Sequence, residues 1–434
     1  MSRNGQRRTA RLPALGLLVA GALTIGVVVA APAPAQSTNP PTVLHIGALL
    51  SITGAGSSLG NTSRAALEVA TARWNQTLTK QHQDMRVELD VVDTGQDPTR
   101  AVAGFQQLAA QGVRIIIGPQ SSSEVAAIQP LANAQGVLVV SQGSTASSLA
   151  MPNDNIFRFV PNDHVEGRAT TDLLVRQGIH VLVPIWRDDR GNQGLADSVR
   201  SAATSANIQV SAGFRYESDT TSFAPALQAV AAQVAAATQQ AGAGHVGVYL
   251  AGFEETADVL AAAQSMTGLS GARWYGGDGS AQATQLVDST NAASFAVAVH
   301  GYPSPLVALP ATSTPSDASL IQQIRSRAHA APDAFGLAAY DAFNVAVRTL
   351  RSTGTSVDGP ALRAAFARTA NGYKGVTGTI RLDPSGDRTS APYAYWSICS
   401  TGRRRPQWVQ SGTWTPNPTD PTRPGRVTGG SCPS

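Results

Sequence analysis

The sequence predicts an α/β protein built of two doubly wound units, and two observations carry that reading. Short apolar runs rich in Val, Ile and Leu alternate with longer stretches whose apolar residues recur every three or four positions. The alternation restarts after about residue 160, so the chain reads as two successive parallel-sheet units with right-handed crossovers. A chain of 434 residues has room for two or three domains.

In the first unit, residues 43–50 form a compact apolar run, a strand, followed by a Gly/Ser/Thr loop at 51–60. Ala65, Ala66, Val69, Ala70 and Trp74 then fall at helical spacing across residues 61–75. Residues 86–92 alternate as a strand, and 98–111 read as a helix with Val102, Phe105 and Leu108 on one face. A β-branched strand at 113–117, a helix at 123–135, a strand at 137–140 and a short apolar segment at 157–160 complete the unit. Asn162 and Asp163 suit the start of a helix running to about residue 178. Strands follow at 180–185, 209–216, 245–250 and 273–276, separated by helices at 192–205, 223–239 (alanine-rich) and 254–266. The last part predicts a strand at 295–300, a Pro/Ser/Thr loop at 303–316 and helices at 319–328, 335–351 and 356–370. A closing pair of strands is expected at 378–382 and 393–398, with a poorly ordered Pro/Gly/Thr-rich segment from residue 411.

Composition excludes several classes. Charged residues are only 14 % of the chain and the net charge is +4. Many arginines gather at the two ends, Arg3, Arg7, Arg8 and Arg11 at the start and Arg403, Arg404, Arg405, Arg423 and Arg426 near the finish. No basic stripe interleaved with aromatics marks a nucleic-acid surface. The positive start, the apolar run at 12–31 and the small residues Ala33-Pro34-Ala35 form a secretory signal pattern over residues 1–35, with cleavage after Ala35 and a linker at 36–42. The alternative is an uncleaved anchor, because the apolar run is nearly long enough to span a thin bilayer. In an exported chain the two cysteines, Cys399 and Cys432, can form one disulfide that pins the tail to the last strand. Histidines and cysteines lack metal-ligand spacing, so neither metal nor cofactor is expected.

Ligands of open α/β sheets bind beyond the carboxyl ends of the strands. Two turns there are rich in hydroxyls: Gly118-Pro119-Gln120-Ser121-Ser122-Ser123-Glu124 and Ser141-Gln142-Gly143-Ser144-Thr145. Their free N–H groups and hydroxyls suit a carboxylate or phosphate, although each serine could equally cap its own helix. Asp278, flanked by glycines after a strand, can point into a cleft and accept from an ammonium group. Glu254 and Glu255 read as acids favourably placed at a helix start. The chain has no Gly-x-Ser-x-Gly elbow, no P-loop and no complete Gly-x-Gly-x-x-Gly after a strand, so a non-enzymatic role is expected.

Several stretches, in this order and spacing, resemble the type I periplasmic binding proteins of the leucine/isoleucine/valine-binding group, which serve branched-chain amino-acid ABC transporters. They are Ile46-Gly47-Ala48-Leu49-Leu50-Ser51-Ile52-Thr53-Gly54, Ile117-Gly118-Pro119 with Ser121-Ser122-Ser123, and Gly136-Val137 through Ser141 with Thr145. Phe157-Arg158, Tyr275-Gly276-Gly277-Asp278-Gly279, Ala339-Tyr340-Asp341-Ala342 and the run from Gly375 to Asp383 with Gly386-Asp387 follow. The resemblance implies two lobes joined by three crossing segments, with solute bound between them. Lobe one would hold 43–161 and 296–353, lobe two 162–295 and 354–400, leaving a tail at 401–434. It also implies that Ser122 and Thr145 hold an α-carboxylate, that Gly143 and Ser144 add contacts, that Asp278 holds the ammonium, and that Ser57 and Leu59 line the lobe-one side. The sequence departs from the family's Tyr-Gly pair in lobe two: residues 188–194, including Asn192, stand there, and Phe253 replaces a second tyrosine. The implied ligand is therefore an amino acid, an amide or another small carboxylate. The implied partner is an ABC permease, served by a monomer, and the alternative role is the ligand-sensing domain of a receptor or regulator.

Overall fold

A computed structural model of the chain describes residues 41–309, 314–400, 405–420 and 423–433. The expected signal peptide, most of the linker, the centre of the 303–316 loop, and Arg403 and Arg404 lie outside them. The first unit runs β1 (Thr42–Leu50), α1 (Ser57–Lys80), β2 (Met85–Asp93), α2 (Pro98–Ala110), β3 (Ile115–Ile117), α3 (Ser122–Gln135), β4 (Leu138–Ser141) and β5 (Ile156–Arg158). Its strands form one parallel sheet in the order β2-β1-β3-β4-β5. Local chemistry sets the boundaries. Asp97 accepts from the Thr99 and Arg100 amides while Pro98 opens α2, and Gly136 ends α3 in the left-handed conformation.

The second unit runs α4 (Asp163–Arg176), β6 (Val181–Arg187), α5 (Arg190–Ser205), β7 (Gln209–Val210), β8 (Phe214–Tyr216), α6 (Ala224–Ala241), β9 (Val246–Ala251), α7 (Thr256–Gln264), β10 (Arg273–Gly276), α8 (Thr284–Asp288) and α9 (Thr290–Ala298). Its parallel sheet has the order β10-β9-β6-β7, with β8 also on β6. The strand expected at 209–216 is broken in two. Gly213 has φ 74°, and a Cβ there would lie 2.1 Å from the Pro184 carbonyl, so the chain kinks between β7 and β8.

The remainder comprises β11 (Ser304–Val307), α10 (Pro315–Ala328), α11 (Ala334–Thr353), α12 (Gly359–Ala370), β12 (Lys374–Gly375), β13 (Gly378–Thr379), β14 (Tyr393–Cys399), β15 (Gln407–Thr415) and β16 (Arg426–Gly429). Five expectations change here. Residues 295–300 belong to α9 and its end, not to a strand, because Ser289 caps the Ala292 amide and the alanine-rich run favours helix. The strand of this region is β11, inside the stretch read as loop. Residues 378–379 pair in a small hairpin with β12, while β14 sits at the centre of an antiparallel sheet, β11-β14-β15-β16. The tail from residue 411 is ordered where described: β15 and β16 extend that sheet, and Trp414 is buried against Tyr393. Finally, α12 packs on β4 of the first unit and on α11, which itself packs on α1 and β1, so the third passage between the units falls beyond Arg388 rather than near Gly354.

The largest buried cluster crosses between the units, from Leu44 and Ile46 through Phe157 and Leu174 to Leu195 and Tyr249. Arg158 at the end of β5 makes a fully buried ion pair with Asp387, and its Nη1 donates to the Ala146 carbonyl at 2.6 Å. Cys399 and Cys432 are bonded, closing 33 residues of sequence between β14 and the chain's last described segment. Reducing that bond, or replacing Cys432 with serine, is expected to cost about 3–4 kcal/mol by loop-closure entropy, read as a lower melting temperature in denaturation with and without reductant.

Candidate functional site

The loops that leave β3 and β4 are stitched to each other. Gly118 has φ 87°, and a Cβ there would lie 2.0 Å from the Leu49 carbonyl, so only glycine lets the chain turn off β3 against β1. Ser121 forms a capping box with Glu124 at the start of α3. Ser141 Oγ donates to the Pro119 carbonyl at 2.6 Å and accepts from the Ser144 amide at 2.9 Å. Ser122 Oγ accepts from the Ala146 amide at 3.2 Å and shares a hydrogen bond with Ser144 Oγ at 3.0 Å. The two turns therefore form one preset surface.

The second unit faces it across a small cavity of about 30 Å³, lined by Gln120, Ser122, Gly143 and Thr145 on one side and by Gly191, Asn192, Leu195, Phe253 and Asp278 on the other, with Leu59 and Phe335 between. That volume is about the room of one or two waters. Of the sequence-predicted residues, the cavity brings together Ser122, Gly143, Thr145, Asn192, Phe253 and Asp278. Ser144 and Ser57 fall outside its lining. Ser144 is spent on Ser122. Ser57 Oγ donates to Glu254 at 3.1 Å, and the Ser58 amide donates to the same carboxylate at 2.6 Å. Gln285 Nε2 also donates to Glu254. Glu254, read from sequence only as a helix-start acid, is thus a bridge from α1 to the second unit. The Arg190 amide adds another crossing, donating to Ser123 Oγ at 3.2 Å.

A larger groove of about 780 Å³ lies on the other side of Leu59, lined by Ser57, Arg64, Gln285, Arg327, Trp396 and Trp408 among others. Size favours the groove and chemistry favours the cavity. Behind the cavity, Glu166 Oε2 and the Tyr249 hydroxyl are buried without a hydrogen-bond partner.

Behind Asp278 stand two acids that sequence reasoning missed, Asp163 and Glu166 in the first turn of α4. Both are completely buried. The Asp278 amide donates to Glu166 Oε1 at 3.0 Å, but Glu166 Oε2 has no hydrogen-bond partner, and Asp163 is met only by Thr145 and the Ser147 amide. The buried Tyr249 hydroxyl beside them has no hydrogen-bond partner either. Burial pushes Asp163 up to about 7, outweighing the pull of Thr145 and Arg158. Burial raises Asp278 and Glu166 as well, and in Glu166 the neighbouring Asp278 and Asp163 charges add to the rise. An Asp-x-x-Glu pair at one helix face was the available signal, but acids in a first helical turn ordinarily serve the dipole. Arg187 lies over the Phe253 ring at 5.7 Å and is paired with Asp189 and Glu255.

The profile of the periplasmic binding protein family matches residues 43–402, and the chain belongs to that family. An uncharacterized protein of Methanocaldococcus jannaschii is 26% identical over 397 residues, covering 87% of this chain and 91% of its own. The Leu/Ile/Val-binding protein homolog 3 of Brucella melitensis is 23% identical over 353 residues, 81% of this chain and 90% of its own. Among solved structures, a leucine-binding protein from Thermotoga maritima superposes with TM-score 0.67 at 20% identity, covering 82% of this chain and 95% of that one. A solute-binding protein of an ABC transporter from R. palustris, in complex with benzoate, gives TM-score 0.66 at 17% identity over 85% of this chain and 96% of that one. The type I periplasmic binding protein fold, two doubly wound lobes with the crossings described above, is therefore that of this chain.

An acid whose pKa is raised by folding binds more protons in the folded state, so its favourable contribution is complete below the unfolded value near 4 and is lost as pH rises through about 7. Wild type is expected to lose on the order of 1–3 kcal/mol from this source between pH 4 and 8. Asp163→Asn removes that part of the loss, so melts of the two proteins across this range should converge at the acid end and favour the variant at pH 8.

Proposed function

We propose that the chain is an exported solute-binding protein that captures a small amino acid or related polar ligand between its lobes and hands it to an ABC permease. The observation that carries the reading is the cavity walled from both sides. Ser122, Gly143 and Thr145 come from strand ends of the first lobe, and Asn192, Phe253 and Asp278 from those of the second. Related proteins whose descriptions name leucine, isoleucine, valine or benzoate support a small-molecule role. The cavity is too small for a whole amino acid, so entry requires the lobes to part, breaking the Ser58–Glu254 and Arg190–Ser123 bonds, and bound ligand then favours reclosure. The protein acts as a monomer, with no nucleic-acid partner, and its signal peptide is removed on export.

A library of amino acids, amides and small acids, screened by thermal shift, should contain a compound that raises the melting temperature, because a ligand bound only by the folded state stabilises it. Against that compound Ser122→Ala and Thr145→Val should each weaken binding by about 1–3 kcal/mol, the scale of a hydrogen bond to a charged group. Unchanged affinity in both variants by calorimetry refutes the site.

A further inference from the structure

The serines of the first-lobe turns bond to one another, but one polar side chain of that wall is left out. Gln120 follows Gly118-Pro119 after β3 and precedes the Ser121 cap of α3. It lines the cavity and is only 4% exposed. Its Oε1 is buried with no hydrogen-bond partner, and no described residue accepts from its Nε2. An amide buried in this way costs free energy that an apolar residue of the same size would not. The neighbouring turn makes room for it. A Cβ built on Gly143, another lining residue, would lie 2.5 Å from Gln120 Cγ and 3.5 Å from its Cδ. Glycine at 143 thus lets the Gln120 side chain lie against the second turn at the cavity wall.

The second lobe brings another carboxamide to the same cavity. Asn192 donates its Nδ2 to Asp189 at 2.7 Å, so its side chain is fixed and what it has left to offer is the acceptor Oδ1. The rest of the lining divides cleanly. Leu59, Leu195, Phe253 and Phe335 present hydrocarbon, and Asp278, on the second lobe, is the one acidic or basic side chain among the lining residues. Gln120 offers a donor and an acceptor without charge. A solute with only hydrocarbon beside it leaves both unpaired. A solute with a neutral donor–acceptor group completes them. Sites built to hydrogen-bond a group reject the analogue that lacks it far more strongly than apolar pockets sense a methylene.

We propose that Gln120 is a specificity-determining residue, and that it selects a small acid or amino acid that carries, besides its carboxylate, a neutral donor–acceptor group: a carboxamide or a hydroxyl. This rests on the solute-capture reading and narrows its ligand. Aliphatic amino acids and unsubstituted benzoate leave the Gln120 amide unpaired and are the weaker ligands. A charged group at that point is disfavoured too, because no counter-charge lines the first-lobe wall.

The test uses the full chain and three pairs of probes matched in shape: L-asparagine with L-leucine, L-threonine with L-valine, and 4-hydroxybenzoate with benzoate. Calorimetry reads each affinity for wild type and for Gln120→Met, which keeps the length of the side chain and removes the amide. The expected result is that wild type binds the polar member of at least one pair roughly tenfold or more tighter than its hydrocarbon partner. In Gln120→Met that preference vanishes or inverts, whereas Ser122→Ala weakens both members of the pair alike. Without ligand, Gln120→Met should melt no lower than wild type, because the amide it loses has no partner, and this separates lost recognition from lost fold. The wild-type ratios decide the matter even if the variant does not fold. A hydrocarbon member bound as tightly as its polar partner in every pair that binds overturns the assignment and leaves solute capture standing. A preference that Gln120→Met keeps unchanged overturns it as well. Silence from all six overturns the carboxamide-or-hydroxyl assignment, while capture itself is then decided by the wider library.

Discussion

The pair of Arg158 and Asp387 is the interaction on which the cleft depends. It joins the last strand of the first sheet to a segment more than two hundred residues later, and both side chains are buried. The same guanidinium holds the Ala146 carbonyl, and thereby the turn that carries Gly143 to Thr145. Arg388, next in sequence, is also buried; it donates to the Thr377 carbonyl at 2.6 Å and so continues the join. Breaking one partner of such a pair leaves an uncompensated charge inside the protein, a far larger penalty than the net worth of the bond. The geometry of the first-lobe wall is thus fixed from the far end of the chain.

From that fixed wall the rest follows in order. The turns after β3 and β4 satisfy one another, so their hydroxyls are held in fixed positions; in the proposed function that preorganisation lowers the entropy cost of binding. The opposing wall is held differently. Its polar groups are buried but under-satisfied, and its conformation is stabilised across the gap by Glu254 and Arg190. One wall is preset and the other keeps buried polar atoms without partners. That asymmetry is what a clamp requires.

Much of this was legible in the sequence. The alternation of apolar runs gave both parallel sheets, and the glycine-flanked Asp278 and the two serine turns line one cavity. What was not legible depends on contacts remote in sequence. The stretch at 295–298 is too short to show a period, and its Phe and Val suggested a strand; the Ser289 cap, the alanines and packing of α9 on α7 make it helix. The tail looked disordered by composition, yet a disulfide and pairing to β14 order it. Ser57 looked like a ligand contact because the loop has the right residues; only the fold brings Glu254 to it. Asp163 and Glu166 were hidden for the opposite reason, since acids in a first helical turn have an ordinary explanation and only burial removes it.

The central claim is that solute is held between the two walls, and a crystal structure with a responding ligand bound tests it most directly. The account predicts ligand atoms within hydrogen-bonding distance of Asp278 on one side and of the Ser122–Thr145 surface on the other, with the lobes closed around them. Ligand seated instead in the groove beside Trp396 and Trp408, with the cavity at Asp278 unchanged, would contradict it.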